Sequence, residues 1–180
     1  MTGPVSPLRP DPRVLERWRT SAGVDLLIRP VAADDGRREA RFLSSLSPQT
    51  RYERVFSHRG LLPDELRQLV RFDIRREIAL LAATGRPPDE AIVAVARLKK
   101  SAVGGDYEFA MVVGDAWQRQ GIGERLLRRL LAVAKLAGIA QISGVTLATN
   151  ESMKALCRKV GFSLSPDPDD ATVTQLRIDL

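Results

Sequence analysis

Val112-Val113-Gly114-Asp115-Ala116-Trp117-Gln118-Arg119-Gln120-Gly121-Ile122-Gly123-Glu124-Arg125-Leu126-Leu127 is the stretch whose reading decides the fold. An apolar run of strand length, Tyr107 to Val113, leads into it, and an amphipathic helix leaves it. In that helix Leu126, Leu127, Leu130, Leu131 and Ala134 recur at helical spacing and form the inward face. Glu124, Arg125, Arg128, Arg129 and Lys135 lie mostly outside the stripe, and Gly138 ends the helix. A glycine-bearing turn at a helix start leaves several backbone N–H groups without intrahelical partners, and the helix dipole favours an anion there. Glycine also lets the backbone approach that anion with no Cβ in the way. The turn therefore reads as a phosphate-binding device. It is not a P-loop, because no Gly-Lys-Ser/Thr follows, and it lacks the three-glycine spacing of a dinucleotide fingerprint.

Downstream, Gln141 to Ala148 is a strand, followed by Thr149-Asn150 and a helix from Glu151 through Val160. Met153, Leu156, Cys157 and Val160 give its apolar face, and Gly161-Phe162 closes it. Upstream, Val24 to Val31 is a strand, and Asp34 or Asp35 starts a helix over about Gly36 to Leu46 with Phe42, Leu43 and Leu46 inward. Ser47-Pro48 signals the next helix, with Ser at the cap and Pro just inside, carrying Tyr52, Val55 and Phe56. Leu62-Pro63 starts a third, with Leu66, Leu69 and Val70 inward. Glu77 to Ala83 and Ala91 to Leu98 are strands around a Gly85-Arg86-Pro87-Pro88 turn, and Gly104-Gly105 turns the chain into the strand ending at Val113. This order predicts a mixed α/β sheet in one domain over 24–180. Residues 1–23 read as a partly flexible arm with Pro4, Pro7, Pro10 and Pro12 and a short helix over Val14–Trp18; either Trp18 anchors it to the domain or the arm is loose and expendable.

Gln118-x-x-Gly121-x-Gly123, placed between strand and helix, resembles the acyl-CoA pyrophosphate loop of the GNAT superfamily of N-acetyltransferases. Strand, Asn150, short helix and Gly161-Phe162 resemble the C-terminal half of the same family, and together the likeness spans about Leu26 to Leu180. Leu46-Ser47-Pro48-Gln49-Thr50-Arg51-Tyr52, Asp73-Ile74-Arg75-Arg76-Glu77-Ile78-Ala79-Leu80 and Glu108-Phe109-Ala110 are similar to segments of bacterial protein-lysine acetyltransferase domains. The resemblance implies a central, mostly antiparallel twisted sheet flanked by helices, with acetyl-CoA as cosubstrate. It implies that Gln118, Arg119, Gln120, Gly121, Ile122, Gly123 and Glu124 hold the diphosphate, largely through backbone amides. Met111 and Val113 would pair through their backbone with the pantetheine arm, in a strand that splays from its neighbour after a bulge. A backbone N–H near Met111 or Val112 would polarise the thioester carbonyl, and Asn150 would lie near the cofactor. Of the arginines, Arg119 is favoured over Arg125 as a phosphate ligand because it lies within the turn. A tyrosine often stands seven residues after the Asn in this family to protonate the leaving thiolate; here that position is Cys157.

Alternation along the strand puts Tyr107, Phe109, Met111 and Val113 on one face and Glu108, Ala110 and Val112 on the other. A carboxylate among small apolar neighbours suits a general base, and partial burial would raise its pKa toward the working range. An amine with a pKa of about 10.4 needs such a base to become nucleophilic at neutral pH. The alternative is that Glu108 meets water at a frayed strand start.

The chain has 180 residues and a net charge of +6, which suits an anionic ligand and an arginine-rich solvated surface. Nucleic acid is disfavoured, because the aromatics are few and not interleaved with the basic residues. One Cys and one His, His58, argue against a disulfide framework and against a structural zinc site, and no metal is expected. There is no transmembrane run and no signal-peptide core, so a cytoplasmic protein is expected. The family resemblance implies transfer of acetyl to a primary amine, a protein lysine side chain, by direct attack in a ternary complex, in a monomer or homodimer. The alternatives are a small-molecule amine acetyltransferase on the same fold and a non-catalytic acyl-CoA-binding module.

Overall fold

A computed structural model describes residues 16–55, 76–85, 89–101 and 106–180. The expected helix after Pro63, Arg86-Pro87-Pro88, Gly104-Gly105, Phe56, His58, residues 73–75, Val14, Leu15 and the N-terminal prolines lie outside the described residues. Eight strands form one sheet in the order β1-β2-β3-β4-β5-β6-β8-β7. They are β1 (Glu16–Arg19), β2 (Asp25–Pro30), β3 (Glu77–Thr84), β4 (Ala91–Lys100), β5 (Tyr107–Val113), β6 (Gln141–Leu147), β7 (Ser163–Pro166) and β8 (Val173–Asp179). Every pairing is antiparallel except β5 with β6. The described helices are α1 (Gly36–Ser45), α2 (Pro48–Val55), α3 (Ile122–Leu136) and α4 (Glu151–Val160).

Side-chain alternation divides the core into two layers. On one face Ile78, Leu80 and Ala82 of β3, Ala94, Ala96 and Leu98 of β4 and Phe109 and Met111 of β5 meet the α3 stripe and Cys157 of α4. On the other, Ala79, Leu81, Ala83, Val95 and Val112 meet Phe42, Leu43 and Leu46 around α1. Leu126, Leu127 and Leu130 are fully buried, each worth about 1.5–3 kcal/mol of apolar burial. Val93 and the adjacent Ala94 both face the α3 side, because the β3–β4 register shifts between Ala82 and Ala83. That is a β-bulge, with Val93 the extra residue.

Two features were not foreseen. β7 and β8 complete the sheet beyond β6, and the expected short helix ending at Trp18 is instead the edge strand β1. Tertiary pairing with β2 overrides a weak local helical pattern there. The second feature is a set of buried charges that clamps α1 to the sheet. Arg97 of β4 binds Glu39 of α1 at 2.5 Å and Glu77 of β3 at 3.1 Å, all three buried. Arg29 of β2 joins Asp35 at 2.6 Å and Glu90 at 2.5 Å. Asp35 does not cap α1 with its side chain; it accepts from Arg29, Arg38 and the Ala32 amide instead.

β5 and β6 pair only at Tyr107↔Ile142 and Glu108↔Ser143, although β5 runs on to Val113 and β6 to Leu147. Beyond those two pairs the strands diverge and open a wedge in the sheet. The divergence needs no bulge in β5: its register with β4 is unbroken from Lys100↔Tyr107 to Ala94↔Val113. This corrects the expected bulge. Phe109 fills the apex instead, its ring 5.0 Å from that of Phe162. A Cβ at Gly144 would stand 2.5 Å from the Phe109 ring, so only glycine fits where the two strands part.

Candidate active site

The site begins at the turn between β5 and α3. Gly114 leaves β5 with its amide bonded to the Val93 carbonyl at 2.9 Å. One 3₁₀ turn later the backbone takes a positive φ at Arg119 (59°) and again at Gly121 (81°). The left-handed conformation costs little at glycine, but at Arg119 it is strained, a condition found where a backbone is held for function. Gly121 occupies the N-cap of α3 and no side chain caps that end. The amides of the first helical turn, Ile122, Gly123 and Glu124, thus have no intrahelical acceptor.

These residues open into a groove lined by Met111, Val112 and Val113 of β5, Gln118, Arg119, Gly121, Gly123 and Glu124 of the turn, and Asn150, Met153 and Leu156 at α4. A Cβ at Gly123 would meet Leu156 at 3.3 Å and Met111 and Val113 at 3.5 Å, closing the floor between these lining residues. The groove thus has the features a diphosphate-bearing ligand requires: uncapped amides, a positive dipole end and a bare backbone. Among the described residues no cluster of His, Cys, Asp or Glu is set to hold a metal.

The residues singled out from sequence do not all stand in one relation to this groove. Ile122 is buried in the core, and Gln120 turns its amide to the Ala116 carbonyl at 3.0 Å, so neither side chain lines the groove. The Oε1 of Gln120 is buried and accepts from no described residue. Glu124 faces Arg128 at 3.1 Å and Lys159 at 2.6 Å. Arg119 is exposed, lines the groove and makes no ion pair among the described residues. Arg125 is held by Glu16 of β1 at 2.5 Å and stacks over the Trp18 ring at 4.9 Å. Trp18 packs on the core, the first of the two readings its sequence left open; it also abuts Gly121, 3.7 Å from where a Cβ would stand. Asn150 both caps α4, its Oδ1 accepting from the Met153 amide at 3.0 Å, and lines the groove.

Gln118 tethers the helix on the other side. Its amide nitrogen donates to Thr50 Oγ1 at 3.2 Å and to the Val113 carbonyl at 3.3 Å. Asp115 accepts from the Ser47 amide at 2.9 Å and from the hydroxyls of Ser47 and Thr50 at 2.6 Å each. Burial pushes the Asp115 carboxyl up, but these bonds outweigh it and hold the carboxyl below its ordinary range. Ser47 Oγ also caps α2 by accepting from the Thr50 amide at 3.2 Å, as its sequence predicts. The result is an α2 fastened by its first turn to the end of β5.

One turn further along α2, Glu53 and Arg54 reach the groove and also a second cavity. This cleft occupies the wedge between β5 and β6 and is lined by Glu108, Ala110, Ser143, Thr146, Ser163, Gln175 and Arg177 among others. Glu53, Arg54, Met111 and Met153 belong to both cavities and mark their junction. Glu108 is exposed in the cleft rather than partly buried as expected, because it precedes the apolar part of β5. Sequence reasoning missed Glu53 and Arg54 because two charges on a short helix read as solvated surface. The only available signal was that their helix follows the Ser47-Pro48 start. Cys157, by contrast, is fully buried and lines neither cavity. Burial pushes its thiol up to about 12, which makes it a poor proton donor as well as a remote one.

Comparison with known proteins bears on the family and the fold. Residues 48–162 match the family model described as the acetyltransferase (GNAT) family. An acetyltransferase of Pseudomonas aeruginosa is 33% identical over 151 residues, covering 83% of this chain and 81% of its own length. Among solved structures, the GNAT domain of the S. lividans protein PAT superposes with a TM-score of 0.80 at 24% identity, over 93% of this chain and 98% of that one. A ribosomal α-N-protein acetyltransferase solved with coenzyme A superposes with a TM-score of 0.68 at 13% identity, over 86% of this chain and 94% of that one. At these identities the two structures bear on the fold alone.

Proposed function

The chain belongs to the acetyltransferase (GNAT) family, and from that premise we propose that it transfers the acetyl group of acetyl-CoA to a protein lysine side chain, acting in the cytoplasm as a monomer or homodimer. The observation that carries this reading is the continuity of the two cavities: a groove ending at an uncapped helix N-terminus runs into a cleft bearing carboxylates. In this reading the amides from Gln118 to Glu124 hold the diphosphate, Arg119 adds a charge-assisted bond, and Asn150 fixes the far wall of the groove. The backbone of Met111 and Val113, on the edge of β5 that β6 leaves open, pairs with the pantetheine arm. The thioester then lies at the junction beside Met111 and Met153.

The acceptor ammonium enters by the cleft, where the Glu108 carboxylate receives it and where Glu53 stands beside Arg54 and Glu108 shares the lining with Arg177. Glu108 takes its proton, directly or through water. The nitrogen lone pair attacks the thioester carbon, and an amide N–H near Met111 or Val112 stabilises the developing oxyanion. The C–S bond breaks, the nitrogen gives up its second proton to water as the amide forms, and the leaving thiolate takes a proton from water in turn, since Cys157 is out of reach. Most of the acceleration comes from positioning. Incubating a lysate with the enzyme and labelled acetyl-CoA, then analysing both fractions by mass spectrometry, tests the proposal. Label on protein lysines is expected. Label confined to small amines removes the protein acceptor, and binding of acetyl-CoA with no transfer at all leaves only a sensor.

A further inference from the structure

Arg54 is a half-buried cation at the junction of groove and cleft. Its guanidinium makes no hydrogen bond or ion pair among the described residues. Both nearby anions are already engaged: Glu39 is bound by Arg97 at 2.5 Å, and Glu53 accepts from Gln49 at 2.8 Å. Burial, and then repulsion from Arg97, pull the guanidinium down to about 10, with Glu39 opposing, so it stays charged at neutral pH. Its donors are half-exposed at the junction and have no acceptor among the described residues, so they are open to an anionic group that enters either cavity. Thr50, one turn earlier on the same face of α2, is tied to Asp115 and Gln118, so the helix carrying Arg54 is fastened in place. Across the sheet, Arg97 lies opposite Ala110, whose small side chain also lines the cleft.

We propose that Arg54 is a carboxylate-binding residue, and that the carboxylate it takes is the terminal one of a short dicarboxylic acyl chain, so that the enzyme transfers succinyl-type groups from coenzyme A as well as acetyl. The planar fork of arginine matches a carboxylate in two parallel bonds. The acyl chain is the favoured source because Arg54 lines the donor groove and not the acceptor cleft alone. The chemistry is unchanged by the charge: the amine forms the C–N bond, the thioester C–S bond breaks, the thiolate accepts a proton, and the distal carboxylate is a spectator. This inference rests on the acyl-transfer reading above.

The test measures kcat/KM for succinyl-CoA and butyryl-CoA, equal in carbon count, on one lysine peptide free of acidic residues, with Arg54→Met and Arg54→Lys beside the wild type. Binding of both thioesters is followed in parallel by calorimetry. A wild-type preference for succinyl of about tenfold or more is expected, lost in Arg54→Met and partly kept in Arg54→Lys. Because the readout is a ratio within each protein, loss of folded enzyme cancels. Acetyl transfer with no succinyl preference, or a preference untouched by Arg54→Met, overturns the inference and leaves the acetyltransferase reading standing. A change in Arg54→Met confined to peptides with an acidic residue beside the lysine overturns it too, by assigning the carboxylate to the acceptor. No transfer from any thioester removes the transfer reading itself, whatever the calorimetric ratio.

Discussion

At the scale of single residues, Glu108 and Cys157 separate cleanly. Glu108 lines the cleft and is exposed to the solvent that fills it. Glu108→Gln is expected to lower kcat by roughly 10²-fold, the usual scale for a general base, while acetyl-CoA affinity from calorimetry is unchanged. The same substitution at Glu53 is the control, since Glu53 borders both cavities. Retention of turnover in Glu108→Gln with its loss in Glu53→Gln would move the base to α2. Cys157 is the opposite case, closed in the core with its thiol raised to about 12. Iodoacetamide at pH 8 is expected to leave the native protein unlabelled and to label it once unfolded. Rapid labelling of the native protein would mean the thiol reaches the groove after all.

At the scale of elements, the wedge between β5 and β6 is the arrangement on which the cleft depends. It is held open by Phe109 packed into the space that Gly144 leaves bare. Gly144→Ala forces backbone or ring to move and should cost roughly 1–3 kcal/mol of stability, as overpacking does. Chemical denaturation of the variant measures this, and a loss below a few tenths of a kcal/mol would show that the ring repacks freely. The second contact of this kind is Asp115, which gathers the first turn of α2 onto the end of β5. Asp115→Ala removes three hydrogen bonds at an exposed position and should cost about 1 kcal/mol. Its larger effect is expected on transfer rate, because Glu53 and Arg54 ride on that helix. Equal rates in the variant would separate α2 anchoring from catalysis.

At the scale of the whole molecule, the helical layer beneath β2 to β4 is fastened by charge as well as by apolar contact, and that makes stability depend on pH. Burial pushes the Asp35 carboxyl up, but its bonds to Arg29, Ala32 and Arg38 outweigh this, and the folded pKa is lowered from 3.8. A lowered carboxyl contributes stability that is present above the unfolded value and is lost as pH falls through the folded one. Glu39 works in the opposite sense. Burial raises its pKa above 4.5, against the pull of Arg97, so its contribution is full at acid pH and declines as pH rises through the folded value. Asp35→Asn should therefore be less stable than wild type at pH 7, by about 3 kcal/mol for a broken buried pair, and its deficit should shrink below about pH 4. A deficit independent of pH in denaturation at pH 7, 5 and 3.5 would mean that packing, not charge, holds α1. The turn from Gln118 to Glu124, the stripe of α3, the Ser47 cap and the closing glycines of α3 and α4 are local chemistry. Backbone geometry and helical periodicity within a dozen residues specify them, so the sequence alone determined the family, most of the strands and the groove. That Glu108 would be exposed, that Cys157 would be closed in the core, and that Glu53 and Arg54 would meet Met111 and Met153 depended on segments 50 to 100 residues apart in the chain. The same holds for β1, which forms only because β2 offers an edge, and for the wedge, which exists only where Phe109 meets Gly144. Only tertiary structure could decide these, because a side chain's environment is set by what packs against it and not by its neighbours in sequence.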